Sequence, residues 1–483
     1  MIGSRAALAL LGAIAVAAGC AARESDDAEA GEAAVREQER RAVGKAVDYP
    51  ADKLTTDDEE RFRVSKKARR ELGWKVLAKA LQPVKIAAQA ETAAVGTSTN
   101  SKGERTIPLF RTWLGGDELG QMFAKMYNDL GKERRIAQAI PSDKEVSDVF
   151  AWNASGGSGQ FSEAEYFERL QQITDQQGVD GLGGNGRVVY SPAYVKQFLT
   201  DYPTLAGCET KLATLTVDTP PTDEKTNFTN CFSREMAPET AVSKMSWRRN
   251  DELVDSGLPV QDTTAAGLAK RMAGTIDDGG WNTKSLPLQK AGPGDAYSVR
   301  LSDGTGFSLV GLHVMTKELR HWVWVTVWWS PPEKANEDFG QDRPAEITAL
   351  GGAWKNYKMC VVTDFDEKDP DPRGGFEGSL GDALAAVHGK ATWCSNGFIE
   401  KGAHNAQTNC IGCHQHAGDI ATLDKVLVDP VKFPEQGRTQ VRKGFPADYS
   451  WAVATPASAD QKDRLLDVIT SRMKVYARED ATQ

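Results

Sequence analysis

Two cysteines and a histidine stand close together at Cys410, Cys413 and His414, in the order Cys-Ile-Gly-Cys-His. Two intervening residues place both thiols on one helical turn, where they can form thioether bonds to the two vinyl groups of a porphyrin. The adjacent histidine then lies under the iron as an axial ligand. With seven cysteines and six histidines in 483 residues, chance yields this pattern in roughly one such sequence in a thousand. The spacing therefore predicts one covalently bound haem c, with His414 as the proximal iron ligand.

Two other interpretations of the cysteine pair are zinc binding and dithiol redox chemistry. Zinc would need two more ligands at similar spacing, and no second Cys-x-x-Cys accompanies His414 and His416. A redox pair usually opens a helix directly after a strand. Residues 409–415 resemble the haem attachment segment of c-type cytochromes. That resemblance implies haem attachment and leaves the reaction open.

The amino-terminal segment, residues 1–19, has the composition of an export signal. Arg5 precedes an apolar run that is too short to span a bilayer. The run ends Val-Ala-Ala-Gly at Cys20, which resembles a bacterial lipobox, although Ala17 stands where that motif usually has leucine. We therefore expect a lipid on Cys20. Ordinary signal-peptidase cleavage after a small residue is the alternative.

The remaining cysteines suggest disulfides. Once Cys20 is assigned to lipid and the motif cysteines to haem, an even number remains in a protein expected to reach an oxidising compartment. These are Cys208, Cys231, Cys360 and Cys394. Proximity in sequence favours Cys208 with Cys231 and Cys360 with Cys394, but three connectivities are open.

Composition divides the chain into a charged front and a globular remainder. Residues 20–100 are rich in Ala, Glu, Asp, Arg and Lys and poor in aromatics, which predicts a flexible, disordered tether, with a short helix conceivable over 59–81. The net charge of −9 argues against nucleic acid and permits a basic redox partner. We expect no nucleic-acid binding and membrane attachment through the lipid alone.

The globular part predicts an α+β fold. Residues 101–235 form a mainly helical region, with helical patterns at 117–135, near 162–173 and from Ser191 to Phe198. Residues 236–375 form an antiparallel β-rich region with strands over 296–301, 307–316 and 321–330. Residues 376–483 form a helical haem-binding end. The strand at 321–330 is apolar on both faces, which is typical of a central strand, although its four tryptophans could instead line a haem edge or a ligand cleft.

Part of this region resembles large secreted bacterial single-haem proteins that are described only as cytochrome c-like. The likeness is carried by residues 243–248, by 311–313, by Lys317 and by 322–326, and it covers about residues 240–415. It departs after Thr326, where the family has Phe-Glu-His and this chain has Val-Trp-Trp. The resemblance implies that the strands and the haem segment form one unit.

The second axial ligand of the iron is left open by the motif. His416 follows His414 by two residues, about 200° round a helix, so it cannot reach the opposite face of the same haem. Methionine in a carboxy-terminal helix often returns over the ring, which favours Met473. The alternatives are His388, His404, His313, His321, Met359 or an open position.

The favoured function is electron transfer through one covalent haem in a bacterial outer-membrane lipoprotein, on its periplasmic side or at the cell surface, with an unidentified redox partner protein. Some 280 further globular residues precede the haem segment, whereas a domain usually needs only about a hundred residues. This excess leaves two alternative functions open. One is a haem enzyme or gas-binding sensor with an open sixth iron site. The other is a ligand- or partner-binding lipoprotein in which haem is structural.

Overall fold

A computed structural model describes the sheet-forming middle of the chain and shorter stretches of both ends. The described residues are 46–85, 98–99, 104–115, 186–200, 232, 235–249, 257–263, 286–300, 306–337, 339–363, 394–400, 410–414, 417 and 448–450. Statements about structure below refer to these residues.

Five helices and twelve strands occur in the described ranges. The helices are α1 (Thr56–Val64), α2 (Lys66–Leu81), α3 (Pro192–Thr200), α4 (Ala345–Ala349) and α5 (Cys410–His414). The strands are β1 (Pro83–Lys85), β2 (Ser98–Thr99), β3 (Arg105–Pro108), β4 (Leu114–Gly115), β5 (Gly186–Tyr190), β6 (Ala241–Arg249), β7 (Leu258–Pro259), β8 (Leu288–Gln289), β9 (Ser298–Arg300), β10 (Gly306–Thr316), β11 (Val323–Trp329) and β12 (Tyr357–Val362).

One antiparallel sheet of seven strands organises the fold. Its strands follow the order β12, β11, β10, β6, β5, β4, and β9 pairs with the start of β10. Strand β11 consists of valine, threonine and tryptophan, the β-branched and aromatic residues that fit a pleated sheet, and all of its residues are buried. Strand β12 beside it is also buried throughout. The sheet is therefore covered on both faces.

The register separates these two faces, because successive side chains of a strand point to opposite sides. Lys244 of β6, His313 of β10, Thr326 of β11 and Cys360 of β12 lie in one row across the sheet. We call the side that carries this row the motif face. The opposite side, the helix face, carries Met359 and its neighbours and packs against α2.

Helix α2 approaches the helix face very closely at one glycine. A Cβ atom at Gly73 would lie 2.8 Å from the Cβ of Val361 and 3.0 Å from the Sδ of Met359. Both distances are shorter than ordinary contact, so a larger side chain here would push the helix off the sheet. The glycine costs helix propensity but permits the contact.

The expectation of a disordered tether over residues 20–100 is wrong for residues 46–85, which hold α1 and α2. Thr55 and Asp58 form a capping box at the start of α1, and the Ser65 side chain accepts from the backbone N–H of Ala68 at the start of α2. Trp74, together with other apolar side chains of α2, is buried against the sheet. The short helix expected within 59–81 corresponds to α2, but the high charge of this stretch gave no indication that the helix packs against distant residues.

Charged side chains of α2 also hold the helix to the sheet and its loops. Arg70 makes a two-pronged ion pair with Asp342, through its Nε and through its Nη2 at 2.6 Å from Oδ1. Its Nη1 also donates to the Met359 carbonyl at 2.7 Å. Lys79 lies 2.6 Å from the buried carboxylate of Glu318. The tyrosine hydroxyl of Tyr49 donates to the same carboxylate at 2.8 Å.

The α+β architecture and its antiparallel sheet agree with the expectation from sequence. The strands expected over 296–301, 307–316 and 321–330 correspond to β9, β10 and β11, and the helix expected after Ser191 is α3. The described part of 101–235 contains α3 and the strands β3, β4 and β5, and most of this region lies outside the described residues. The helices expected at 117–135, 162–173 and after Ala459 lie outside the described residues.

We predict that Arg70→Lys lowers the free energy of unfolding by about 1–3 kcal/mol, because lysine cannot make a two-pronged contact or reach the carbonyl at the same time. Denaturant unfolding of the purified protein measures the change. Arg61→Lys is the matched control, since Arg61 makes an exposed pair with Asp58 and lies over the neighbouring Phe62 ring, and it should cost less than about 1 kcal/mol. Equal effects of the two substitutions would contradict the role given to Arg70.

Candidate functional site

The Cys-x-x-Cys-His motif forms the single-turn helix α5 on the motif face. Cys410 and Ile411 are buried, and His414 is half-buried at the carboxy-terminal end of the turn. Positions 410, 413 and 414 share one side of an α-helical turn. The backbone thus has the arrangement that the motif requires if both cysteines and the histidine are to act on one group.

A backbone carbonyl fixes the imidazole of His414. Its Nδ1 lies 3.0 Å from the carbonyl oxygen of Tyr449. A carbonyl only accepts hydrogen bonds, so the proton is on Nδ1 and the lone pair is on Nε2. Burial lowers the pKa of His414 to about 4, against the opposing effect of the Tyr449 hydrogen bond. The ring is therefore neutral at neutral pH, and the neutral ring is the form that ligates metals.

The indole ring of Trp324 packs against this imidazole. The ring centroid of Trp324 lies 4.6 Å from that of His414, and Tyr449 lies 5.9 Å from Trp324. Trp324 is itself fixed, because its Nε1 donates to the His321 carbonyl at 2.9 Å. The tryptophan alternates with buried valines along β11 and so shares the motif face with Thr326. A rigid apolar surface therefore lies against the histidine.

The turn that supplies the Tyr449 carbonyl is held by a buried ion pair. Asp448 and Tyr449 have φ angles of 43° and 64°, a left-handed conformation that costs about 1–2 kcal/mol per non-glycine residue. Asp448 Oδ1 accepts from Lys317 Nζ at 2.9 Å and from Trp322 Nε1 at 3.1 Å. The Tyr194 hydroxyl lies 2.5 Å from the Ser450 hydroxyl. These bonds hold the carbonyl in place despite the backbone strain.

A second group of polar side chains is buried on the motif face beside this histidine. His313 lies in the row with Lys244 and Thr326, and its Nε2 is 3.6 Å from Glu400 Oε1. Asn396 donates to the Thr326 hydroxyl at 2.8 Å and to the Val327 carbonyl at 2.9 Å. These contacts hold residues 394–400 over the sheet.

Burial dominates the electrostatics of this polar group. It raises the pKa of the Glu400 carboxyl to about 7, against hydrogen bonds from the Asn396 N–H and the Ser395 hydroxyl that favour the charged form. It also lowers the pKa of His313 well below its ordinary value, and the charges of Lys244 and His414 act in the same direction.

A disulfide joins Cys360 of β12 to Cys394, the pairing that their proximity in sequence favoured. Cys360 lies opposite Thr326 in the register, and Asn396 contacts Thr326. The covalent bond and the hydrogen bonds therefore anchor residues 394–400 to adjacent strands. Cys208 and Cys231 lie outside the described residues.

The candidate iron ligands fall into three groups. Met359 lies on the helix face, with its sulfur towards Gly73 of α2, so the sheet separates it from His414. His321 lies at the start of β11, with its ring 5.8 Å from that of Tyr449. His313 lies on the same face as His414. The candidates His388, His404 and Met473, together with His416 and the lipidation residue Cys20, lie outside the described residues.

Several residues of this site were not anticipated from sequence: Asp448, Tyr449, Lys244, Asn396 and Glu400. The contribution of Tyr449 is a backbone carbonyl, which no side-chain pattern encodes. The other four are common surface residue types that the fold brings together. Lys244 lies in the segment 243–248 that carries the family resemblance, but no sequence signal could have selected Asp448, Asn396 or Glu400.

Among the described residues, no group of three or more His, Cys, Asp or Glu side chains is arranged to hold a metal ion. In the same part of the chain, no helix is both long and apolar enough to cross a membrane. No protein family matches the sequence, and neither a curated protein nor a solved structure is significantly similar to it.

We predict that Asp448→Ala lowers the free energy of unfolding by on the order of 3 kcal/mol, because it removes the buried carboxylate that Lys317 and Trp322 share. Thermal or denaturant unfolding measures the loss. Asp57→Ala is the control, since Asp57 is exposed in the first turn of α1 and should cost less than about 1 kcal/mol. A loss no larger than the control's would show that the turn does not depend on Asp448.

Proposed function

We propose that the chain is a c-type cytochrome that carries one covalent haem on Cys410, Cys413 and His414. The observation that carries the proposal is the hydrogen bond from His414 Nδ1 to the Tyr449 carbonyl at 3.0 Å. Metal-ligating histidines almost always donate their second ring N–H in this way, which fixes the tautomer and the orientation of the ring. The bond gives the histidine of the motif the chemistry of a ligand and supports haem over a dithiol function.

The surroundings of His414 also fit a porphyrin. The imidazole is neutral, and an indole face at 4.6 Å supplies the kind of apolar contact that a macrocycle favours. Cys410 is buried at the start of the same turn. Thiol, thiol and imidazole form a donor set that suits thioether attachment and one axial bond.

Electron transfer is the reaction that we propose. A bound haem supplies one-electron oxidation and reduction of its iron. The chain's contribution is to hold His414 rigidly between the Tyr449 carbonyl and Trp324, because a fixed ligand shell limits the rearrangement that accompanies a change of charge. The net charge of −9 is compatible with a basic redox partner.

We further propose that the protein is anchored to a bacterial outer membrane by a lipid on Cys20. The described structure begins at residue 46, which is 26 positions after Cys20. A chain of this length spans at most about 90 Å when fully extended. The lipid would therefore keep the sheet and its motif within about that distance of the membrane, where a membrane-bound partner is accessible.

Covalent attachment gives the first test. We predict that the wild-type protein, made in a host with cytochrome c maturation, keeps a haem stain on a denaturing gel, and that Cys410→Ser with Cys413→Ser abolishes it. Thioether bonds survive denaturation, whereas a noncovalent haem is lost. Cys360→Ser with Cys394→Ser is the matched control and should keep the stain. An unstained wild-type protein would contradict haem attachment and return the motif to zinc or dithiol chemistry.

Lipidation gives an independent test. We predict that the wild-type protein partitions into detergent and incorporates radiolabelled palmitate, and that Cys20→Ala loses both properties, because the Cys20 sulfur is the atom to which the lipid is attached. The Cys410→Ser, Cys413→Ser variant should retain the label. Labelling that persists in Cys20→Ala would contradict the anchor without affecting the haem proposal.

A further inference from the structure

We propose that His313 is the second protein ligand of the iron, opposite His414. The inference rests on the proposed function, since it requires a haem on the motif. It assigns the axial position that the sequence left open among several histidines and methionines, and it gives that role to a strand residue that precedes the motif by almost a hundred positions.

The register places His313 one motif-face row further from the loop between β10 and β11 than Trp324, the residue that contacts His414. Met315 pairs with Trp324, and the next pair on the motif face is His313 with Thr326. His313 and Trp324 are thus diagonal neighbours on one face, about 7–8 Å apart. Since Trp324 contacts His414, His414 packs over the row adjacent to that of His313.

The orientation of His414 adds a direction to this proximity. Its Nδ1 points to Tyr449, and the adjacent Asp448 is bonded to Lys317 and Trp322. Both of these partners belong to the loop that joins β10 to β11. The two ring nitrogens of an imidazole point in diverging directions, so Nε2 points away from this loop. Along the motif face, the row beyond Trp324 in that direction is the row of His313.

His313 has the properties of a ligand. Only 7 % of the residue is exposed, and its Nε2 has no hydrogen-bond partner in the part of the chain that the structure describes. A buried polar atom without a partner costs about 1–3 kcal/mol, and a metal bond would satisfy it. Glu400 Oε1 lies 3.6 Å from the same Nε2, which is beyond hydrogen-bond distance.

Among the other described candidates, neither matches His313. Met359 is separated from His414 by the sheet itself. His321 lies beside Tyr449, on the side of His414 that Nδ1 faces rather than the side that Nε2 faces. Ligation by His313 would give an iron bound by two histidines. Its reduction potential would be lower than that of an iron bound by histidine and methionine.

The test uses the full-length mature protein with its haem, compared as wild type, His313→Ala and His313→Met. Optical and electron paramagnetic resonance spectra report the spin state. We expect a low-spin wild-type iron that is unmoved by carbon monoxide, and a high-spin, carbon monoxide-binding iron in His313→Ala. Added imidazole should restore the low-spin spectrum of His313→Ala. His313→Met should raise the reduction potential.

His321→Ala is the matched control, and its spectra should equal those of the wild type. A His313→Ala protein that stains for haem and keeps the wild-type low-spin spectrum would overturn the inference and leave the proposed function intact. A high-spin wild-type iron would also overturn it. Absence of covalent haem from the wild type would remove the proposed function, and the inference with it. If His313→Ala does not fold, the spectrum and potential of His313→Met decide.

Discussion

Burial of β11 on both faces is the constraint on which the rest of the structure depends. A strand with valine, threonine and tryptophan on both sides must be covered twice, and the sheet therefore divides the molecule into two compartments. Helix α2 closes one of them, and its approach at Gly73 leaves no room for a side chain. The other is closed by residues 394–400, by α5 and by the turn at 448–450. The Cys-x-x-Cys-His motif is thus confined to one side of a rigid sheet.

The motif face buries polar groups of its own. On the helix face, charged residues of α2 tie the helix to the sheet and its loops. On the motif face, His313 and Glu400 are buried and Lys244 is half-buried, and a buried polar group opposes folding unless it has partners. A packing surface alone would be more stable with apolar side chains in these positions. Polar groups at this depth beside a metal-type histidine are more easily explained by a role in binding or in charge control.

The parts of the fold that follow from local sequence were predictable, and the parts that depend on distant pairing were not. The runs that became β9, β10 and β11 are rich in β-branched and aromatic residues and are bounded by turn residues. Helix α3 begins at a proline, Pro192. By contrast, the spacing over 59–81 indicated a short helix within a charged segment, but nothing near Arg70 in sequence reveals that Asp342 and the Met359 carbonyl are its partners. The same limit applies to the site: the motif was visible, whereas the Tyr449 carbonyl that orients its histidine was not.

The proposed second axial ligand depends on the register of the strands, which the spacing of residues along the sequence does not reveal. By analogy with small cytochromes, a methionine downstream of the motif is the natural candidate, and Met473 satisfies the spacing. That analogy assumes a helical haem domain that closes on itself. Here the histidine of the motif packs on Trp324 of a seven-stranded sheet, and in the proposed arrangement the sheet would take the place of the returning helix. A ligand supplied by the sheet must lie on the motif face, in a row adjacent to Trp324, with a buried nitrogen that lacks a hydrogen-bond partner. His313 meets all three conditions, and it meets them because β10 and β11 pair in this register.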